Sequence, residues 1–294
     1  MQVEALDRMQ IATAQRVLQD ACPHDRADAV TEEKLFEPGP TAPAQAFGVW
    51  RDGELVGVAA ISARWLRVLA VTPAARGVGI GTALLAACEA AARAAGESTL
   101  RTLDQPGNYL APGIDERNTY TIGWLESRGW VRRGEPRHNV RIAVRDNPRV
   151  SAERAAESAA TAAARGYEIR RARGDEHALL EAVATEFGGA WPWELARALE
   201  YSPVGVHVAL RDGAYCGFAA HDGNNRGLGW FGPTGTWPAH RGQGLGEALL
   251  LACLVDVGRV HTHCEVAWIG PRPFYDKVAG IAEDRRFALL VRDL

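Results

Sequence analysis

The chain has 294 residues, of which 47% are hydrophobic and 23% charged, with a formal net charge of −3; this is the composition of folded rather than disordered protein, and the length suits two domains. The near balance of charge, without a Lys/Arg run, argues against nucleic acid as a partner, and no window of about 18 uninterrupted apolar residues marks a membrane span. The five cysteines, Cys22, Cys88, Cys216, Cys253 and Cys264, form no Cys-x-x-Cys pair, so neither a zinc site nor a disulfide framework is expected.

The first ten residues, MQVEALDRMQ, lack the apolar run of a secretory leader, so a cytoplasmic protein is expected. A helix is expected over 7–21. Strands follow over 46–50 and 55–61, joined by the turn Arg51-Asp52-Gly53. The run LRVLAV over 66–71 reads as a buried strand, and 79–95 as a helix with Gly96 beyond its end. Another strand is expected at 99–103, a short helix at 119–128, and two strands at 130–135 and 138–143. The stretch 151–165, rich in Ala, Glu and Arg and poor in large apolar residues, reads as a connecting helix. The order then repeats: strand 167–171, helix 174–186, strands 204–210 and 214–220 around Arg211-Asp212-Gly213, strand 228–236, helix 247–257, strand 263–268, short helix 273–278 and a last strand at 287–291.

The repetition is also literal. Residues 72–85 read TPAARGVGIGTALL and residues 237–250 read WPAHRGQGLGEALL. Arg76 and Arg241 head the two copies, and 241 − 76 = 165 residues, a domain-sized spacing far above a solenoid period. A duplicated domain is the simplest cause. The expected organisation is a first domain over 1–146, a helical linker over 147–165 and a second domain over 166–294.

A strand, a glycine-rich turn and a helix together make an anion cradle. The first N–H groups of a helix have no internal partner, and the helix dipole favours negative charge there. Gly77, Gly79 and Gly81, and again Gly242, Gly244 and Gly246, let the backbone approach a bulky anion. Arg76 and Arg241 stand where they could reinforce the turn or neutralise phosphate. Neither turn carries the lysine of a P-loop, and the third position of a G-x-G-x-x-G fingerprint is Thr82 in one copy and Glu247 in the other.

Arg-x-x-Gly-x-Gly after a strand ending in Val-x-Pro resembles the acetyl-CoA pyrophosphate loop of the GNAT N-acetyltransferases. Downstream, NTYTIGWLESRGW over 118–130 and FYDKVAG over 274–280 resemble the family's terminal segment. The resemblance covers both halves and leaves only the linker outside. It implies an α+β fold of two tandem domains, each a mixed, mostly antiparallel sheet flanked by helices. It also implies acetyl-CoA as co-substrate, no metal, and a small-molecule or peptide amine as acceptor. The cofactor residues it implies are Leu69, Val71, Arg76, Gly77, Val78, Gly79, Gly81, Thr82 and Asn118 in the first half. In the second they are Thr234, Thr236, Arg241, Gly242, Gln243, Gly244, Gly246 and Glu247.

For the leaving thiolate the family often uses a tyrosine in the downstream helix, which implies Tyr275 in the second half. The first half has Leu125 at the matching position, with Tyr120 as a weaker substitute. Tyr275 could equally pack on the sheet. Glu265, on the strand beside the expected splay, is the candidate general base, against a plain solvent-facing role; Asp115 and Glu116 are weaker candidates. His261 and His263 form an H-x-H pair without a third ligand and read as polar residues at a strand start. Trp191 and Trp193, in the FGGAWPW segment at 187–193, lie where the family places acceptor-covering helices, though packing is the commoner role for such aromatics. Two further readings remain: a non-catalytic acyl-CoA-binding or regulatory protein, and one catalytic domain joined to a degenerate one.

Overall fold

The computed structural model describes residues 2–294. In chain order its elements are β1 (Glu4–Ala5), α1 (Ile11–Ala21), α2 (Thr31–Leu35), β2 (Gln45–Arg51), β3 (Glu54–Ser62), β4 (Trp65–Val71), α3 (Ile80–Ala94) and β5 (Thr99–Thr102). Then come β6 (Ile114–Asp115), α4 (Thr119–Glu126), β7 (Val131–Arg132), β8 (Arg137–Ala143) and α5 (Ala152–Ala163). The second half runs β9 (Glu168–Arg171), α6 (His177–Glu186), α7 (Trp191–Leu199), β10 (Val206–Arg211), β11 (Ala214–His221), β12 (Trp230–Thr236), α8 (Leu245–Gly258), β13 (His263–Val266), α9 (Arg272–Ala279), β14 (Glu283–Ala288) and β15 (Leu290–Asp293). Among the described residues no helix is long and apolar enough to cross a membrane.

Two compact units form: one from the chain up to Arg137 together with Arg286–Leu294, the other from His138–Arg285. In the first, the strand order is β1-β2-β3-β4-β5-β15-β7, antiparallel except for the parallel pair β4/β5. Helix α3 and helices α1 and α2 all pack on β3 and β4, which explains why β3 is buried at almost every position instead of alternating. Ile61, Leu66, Ile80, Leu84, Leu125 and Trp130 are central to its core. In the second unit the order is β9-β10-β11-β12-β13-β8-β14, with β12/β13 a parallel pair. Its core has two parts, one built on α8 and α9 and the other on α6 and α7.

One expectation is corrected. A division at 1–146 and 166–294 assigns 138–143 to the first domain and the chain's end to the second. Instead β8, from the first half, pairs with β13 in the second unit, and β15, from the second half, pairs with β5 and β7 in the first. The strand expected over 287–291 is in fact the end of β14 and the start of β15, broken at Leu289. The physical reason is that strand pairing joins residues far apart in sequence, and each copy ends in a strand that could fill a slot of the same kind, so sequence cannot say which slot it fills. Glu265 marks the choice. Its Oε1 accepts from Asn139 Nδ2 of β8 at 2.7 Å, its Oε2 from Arg141 Nε of β8 at 3.2 Å, and both oxygens accept from Arg285 of β14, at 2.9 and 3.0 Å.

Candidate functional site

The two glycine-rich loops have one geometry. Thr72 N–H donates to Val56 O at 2.9 Å, and Trp237 N–H to Cys216 O at 3.0 Å. Backbone groups alternate along a strand, so the N–H groups of Leu69 and Val71, and of Thr234 and Thr236, turn the other way. They turn toward an opening. β4 pairs with β5 only at Trp65↔Arg101 and Leu66↔Thr102, and β12 with β13 only at Trp230↔Glu265 and Phe231↔Val266. Beyond those pairs the parallel strands part.

Each loop is then folded back by its arginine. Arg76 Nε donates to Val71 O at 3.0 Å and Arg241 Nε to Thr236 O at 3.2 Å. Gly79 and Gly244 cap α3 and α8 in the left-handed conformation, with φ of 92° and 86°, which glycine alone adopts readily. A Cβ at Gly77, Gly79 or Gly242 would meet nothing within 4 Å, so the cradle is open to a large anion. Successive N–H groups in such a turn form an anion-binding concavity at the helix start.

In the first unit the loop lies on a groove of about 330 Å³ lined by Leu69, Val71, Thr82, Tyr120, Trp124 and Arg128, among others. The Arg128 guanidinium lies 4.1 Å from the centroid of the Trp124 ring and 3.4 Å from Thr82 Oγ1. Val78 stands half-exposed at the loop tip. Asn118 is the N-cap of α4 without a side-chain capping bond. The second loop faces a similar neighbour. Gly81 lies against Trp124 and Gly246 against Phe274, where an added Cβ would approach the rings at 3.4 and 3.6 Å. Trp124 and Phe274 therefore match, and so do the residues after them, Leu125 and Tyr275. Gln243 accepts from Arg165 Nη1 at 2.8 Å, and Glu247 pairs with Arg154 at 3.3 Å.

The units part company at the vertex of the splay. In β4 the pairs Ala60↔Val68 and Ile61↔Leu66 leave Arg67 as an extra, bulged residue. Its side chain is 1% exposed and runs to Glu37 O (2.6 Å), Lys34 O and the Gln105 side chain. Gln105 in turn donates to Ser62 Oγ at 2.9 Å. In β12 the pairs Ala219↔Thr234 and His221↔Phe231 leave Gly232 and Pro233 opposite Ala220. Gly232 stands at the position of Arg67; its φ is 130°, and a Cβ there would meet nothing within 4 Å. One bulge is filled by a guanidinium and the other is open.

Tyr275 is 5% exposed and packs edge-on against Phe231, with ring centroids 6.3 Å apart. Burial, with a smaller contribution from Cys264, pushes its hydroxyl up to about 12. Glu265 does not sit as a general base should. It is buried and its oxygens are committed to the Asn139, Arg141 and Arg285 bonds, which leaves no lone pair aimed at an incoming amine. It fastens strands instead. Asp115 is similarly bound to Arg117 and Glu116 to Arg286. His263 Nδ1 contacts Thr262 Oγ1, and among the described residues no group of three metal-ligating side chains forms. Sequence reasoning missed Arg67, Gly232, Arg128 and Arg165; aligning the copies at their 165-residue offset would have set Arg67 against Gly232.

The FGGAWPW segment joins α6 to α7, and its last three residues open α7. Phe187 stacks on Trp191 at 5.3 Å and meets Phe218 and Trp237 edge-on at 5.6 and 5.1 Å, covering Gly235 of β12. Toward the other end of α8, about 16 Å from the loop at 1.5 Å per residue, lies a titratable cluster. Asp256 Oδ2 contacts His207 Nε2 and Arg171 at 2.6 Å each, and His221 Nδ1 contacts Asp222 Oδ2 at 2.8 Å.

The profile of the acetyltransferase (GNAT) family matches residues 11–111, which carry the first loop. No curated protein matches the chain in sequence. Among solved structures, a GCN5-related glucosamine N-acetyltransferase region of a fungal multi-domain GH3 β-N-acetylglucosaminidase is similar in fold. Its TM-score is 0.78 at 16% identity, over 99% of this chain, which spans 38% of that one. A tandem GNAT protein from the clavulanic acid biosynthesis pathway aligns with TM-score 0.71 and 20% identity over 99% of this chain and 98% of its own. A GCN5-related N-acetyltransferase from Sphaerobacter thermophilus aligns with TM-score 0.63 and 20% identity, over 99% and 95%. Residues 11–111 thus match the acetyltransferase (GNAT) family profile, and the chain as a whole is similar in fold to a tandem GNAT protein.

Proposed function

We propose that the protein is a cytoplasmic, acetyl-CoA-dependent N-acetyltransferase whose transfer centre lies in the second unit, while the first holds acyl-CoA without transferring the acyl group. The observation that carries this reading is the contrast between Gly232 and Arg67. A cofactor whose diphosphate rests on the loop and whose arm follows Thr236 and Thr234 ends at the bulge. An amine can reach that end over Gly232 but not through a buried arginine.

When bound, acetyl-CoA supplies the activated thioester. The chain's own groups do the rest. The Gly242–Gly246 loop and Arg241 hold the diphosphate, and the turned-away N–H groups of Thr234 and Thr236 hold the arm and polarise the carbonyl. The deprotonated amine attacks the carbonyl carbon: the C–N bond forms, the C–S bond breaks, and the amine's remaining excess proton passes to water at the open end. Tyr275 gives its hydroxyl proton to the departing thiolate, and the proton that the amine released to water restores it, so that the turnover is proton-neutral. A hydroxyl raised to about 12 stays protonated through the neutral range and is available for that transfer.

Acetyl-CoA titrations on the full chain and on Gly79→Trp and Gly244→Trp test the cofactor assignment. Two sites are expected, each lost with its own variant; no binding by the unmodified chain would sink the reading. Thiol release with a panel of primary amines should disappear in Gly244→Trp and persist in Gly79→Trp. Tyr275→Phe should lower turnover roughly 100-fold without weakening acetyl-CoA binding, and unchanged turnover would remove Tyr275 from the reaction.

A further inference from the structure

The two proposed diphosphate sites draw their cations from different places. In the first unit the second cation is Arg128, at the end of α4, stacked on Trp124 and within reach of Thr82. With Trp124 matched to Phe274, the residue corresponding to Arg128 is Val278, which carries no charge. The second loop is poorer still, because Glu247 replaces Thr82 in the first turn of α8, where a carboxylate repels a diphosphate.

The helix that joins the two halves of the sequence makes up this deficit. α5 packs along α8 and β9. Arg154 lies 3.3 Å from Glu247 Oε1 and also donates to Arg149 O at 3.1 Å and Val278 O at 3.3 Å, so it is held from several sides. Arg165, just past the end of α5, donates from Nη1 to Gln243 O at 2.8 Å, and this nitrogen is 3.8 Å from where a Cβ on Gly244 would stand. Arg165 is exposed, and a guanidinium has five N–H groups, so one bond to a carbonyl leaves others for an anion. The loop charge then matches in the two units: Arg76 with Arg128 in one, and Arg241 with Arg165 in the other after Arg154 has neutralised Glu247.

We infer that Arg165, supported by the Arg154–Glu247 pair, is a diphosphate-binding residue of the second unit, and that the connecting helix is therefore part of a cofactor site. The inference rests on the acetyl-CoA reading above. Its ligand chemistry is a nucleotide diphosphate presented at the start of α8.

The test uses the full chain carrying Gly79→Trp, so that only the second loop is open, and titrates acetyl-CoA and S-acetylpantetheine, which has the thioester arm without the diphosphate. Arg165→Gln should raise the Kd for acetyl-CoA roughly tenfold or more and leave that for S-acetylpantetheine within about twofold; Arg165→Lys should recover most of the loss. Unchanged acetyl-CoA affinity in Arg165→Gln overturns the inference, as does an equal loss with both ligands, which a collapsed loop would give. A Gly79→Trp parent that binds no acetyl-CoA is a different result: it removes the reading of the second unit, and this inference with it.

Discussion

At residue 67 the first unit buries an arginine, and at the matching residue 232 the second has a glycine with open space around it. The units agree closely at the other end of the same strand. There the arginine-to-carbonyl bonds, the left-handed glycine caps and the alternation of N–H groups repeat within a few tenths of an ångström and a few degrees. Leu125 against Tyr275 repeats the divergence at the position proposed to serve the leaving group, and so does the floor beneath each long helix. Strand register and the 165-residue offset set Phe47, Ile61 and Ala91 against His207, His221 and Asp256. On the proposed function, the glycine-rich loop reports what is held, whereas the residue at the bulge reports whether anything can reach it.

The hardest test of the comparison is to separate its two members. Residues 1–165 and 166–294 expressed apart would each lose the strand that completes its sheet, and the second piece would leave Glu265 buried without Asn139 and Arg141. Each piece should be unfolded or aggregated alone, and the two should purify as a one-to-one complex when produced together. A piece 166–294 as resistant to heat as the full chain would mean that its own last strand closes the gap.

Exchanging the bulge residues tests the same contrast at one position. Gly232→Arg should reduce thiol release with amines by roughly 100-fold or more while acetyl-CoA still titrates. Because any side chain at a φ of 130° is strained by about 1–3 kcal/mol, Gly232→Ala is the needed partner. It should keep most of the turnover, and an equal loss in both variants would assign the effect to strain. Arg67→Gly should not create turnover in the first unit, since Leu125 still offers no proton.

Much of this contrast was legible in the residues. The repeated RGxGxG block located both loops, and the Asp-Gly pairs at 52–53 and 212–213 located both hairpins, each with positive φ at both positions. α2 went unread because five residues, TEEKL, are too few to show a helical period. α7 went unread as an element, although Trp191, Leu195 and Leu199 recur at helical spacing and Pro192 suits its first turn. The strand exchange is invisible to any local pattern, since the pairing of β8 with β13 and of β15 with β5 and β7 joins residues far apart in sequence. Glu265 was placed on the right strand, but its role depends on Asn139, Arg141 and Arg285, which come from two other strands and which no spacing rule brings together.

The choice between a strand-fastening and a reacting Glu265 has its own measurement. Glu265→Gln leaves Arg285, 4% exposed, beside a neutral amide, and breaking a buried pair by removing one charge costs about 3 kcal/mol or more. The second unit should unfold at a clearly lower temperature, with turnover below that temperature within a few-fold of the parent. A loss of turnover without a loss of stability would return Glu265 to the reaction.

The smallest expected effect concerns the floor of the long helix. Burial lowers the pKa of His207 despite its bond to Asp256. Burial also opposes charge on His221, but Asp222 and Asp256 outweigh it and raise the pKa. Burial likewise opposes charge on Asp256, yet His207, His221 and Arg171 hold it well below the usual carboxylate range. The two histidines therefore act in opposite directions. A group whose folded pKa is lowered contributes stability above its unfolded value, about 6.5 for histidine, and loses it as the pH falls from there. A histidine whose folded pKa is raised contributes fully below about 6.5 and loses that contribution as the pH rises through its folded value. Asp256 adds a loss that begins only below about pH 4. Melting temperatures of His207→Gln and His221→Gln between pH 5 and 9 should separate the two. His207→Gln flattens the decline on the acid side of 6.5 and His221→Gln the decline on the alkaline side, each by at most about 1.4 kcal/mol per pH unit. Phe47, Ile61 and Ala91 give the first unit no such dependence. Profiles parallel to the parent in both variants would mean that the cluster keeps its charge in the unfolded chain as well, and that the two floors differ in shape alone.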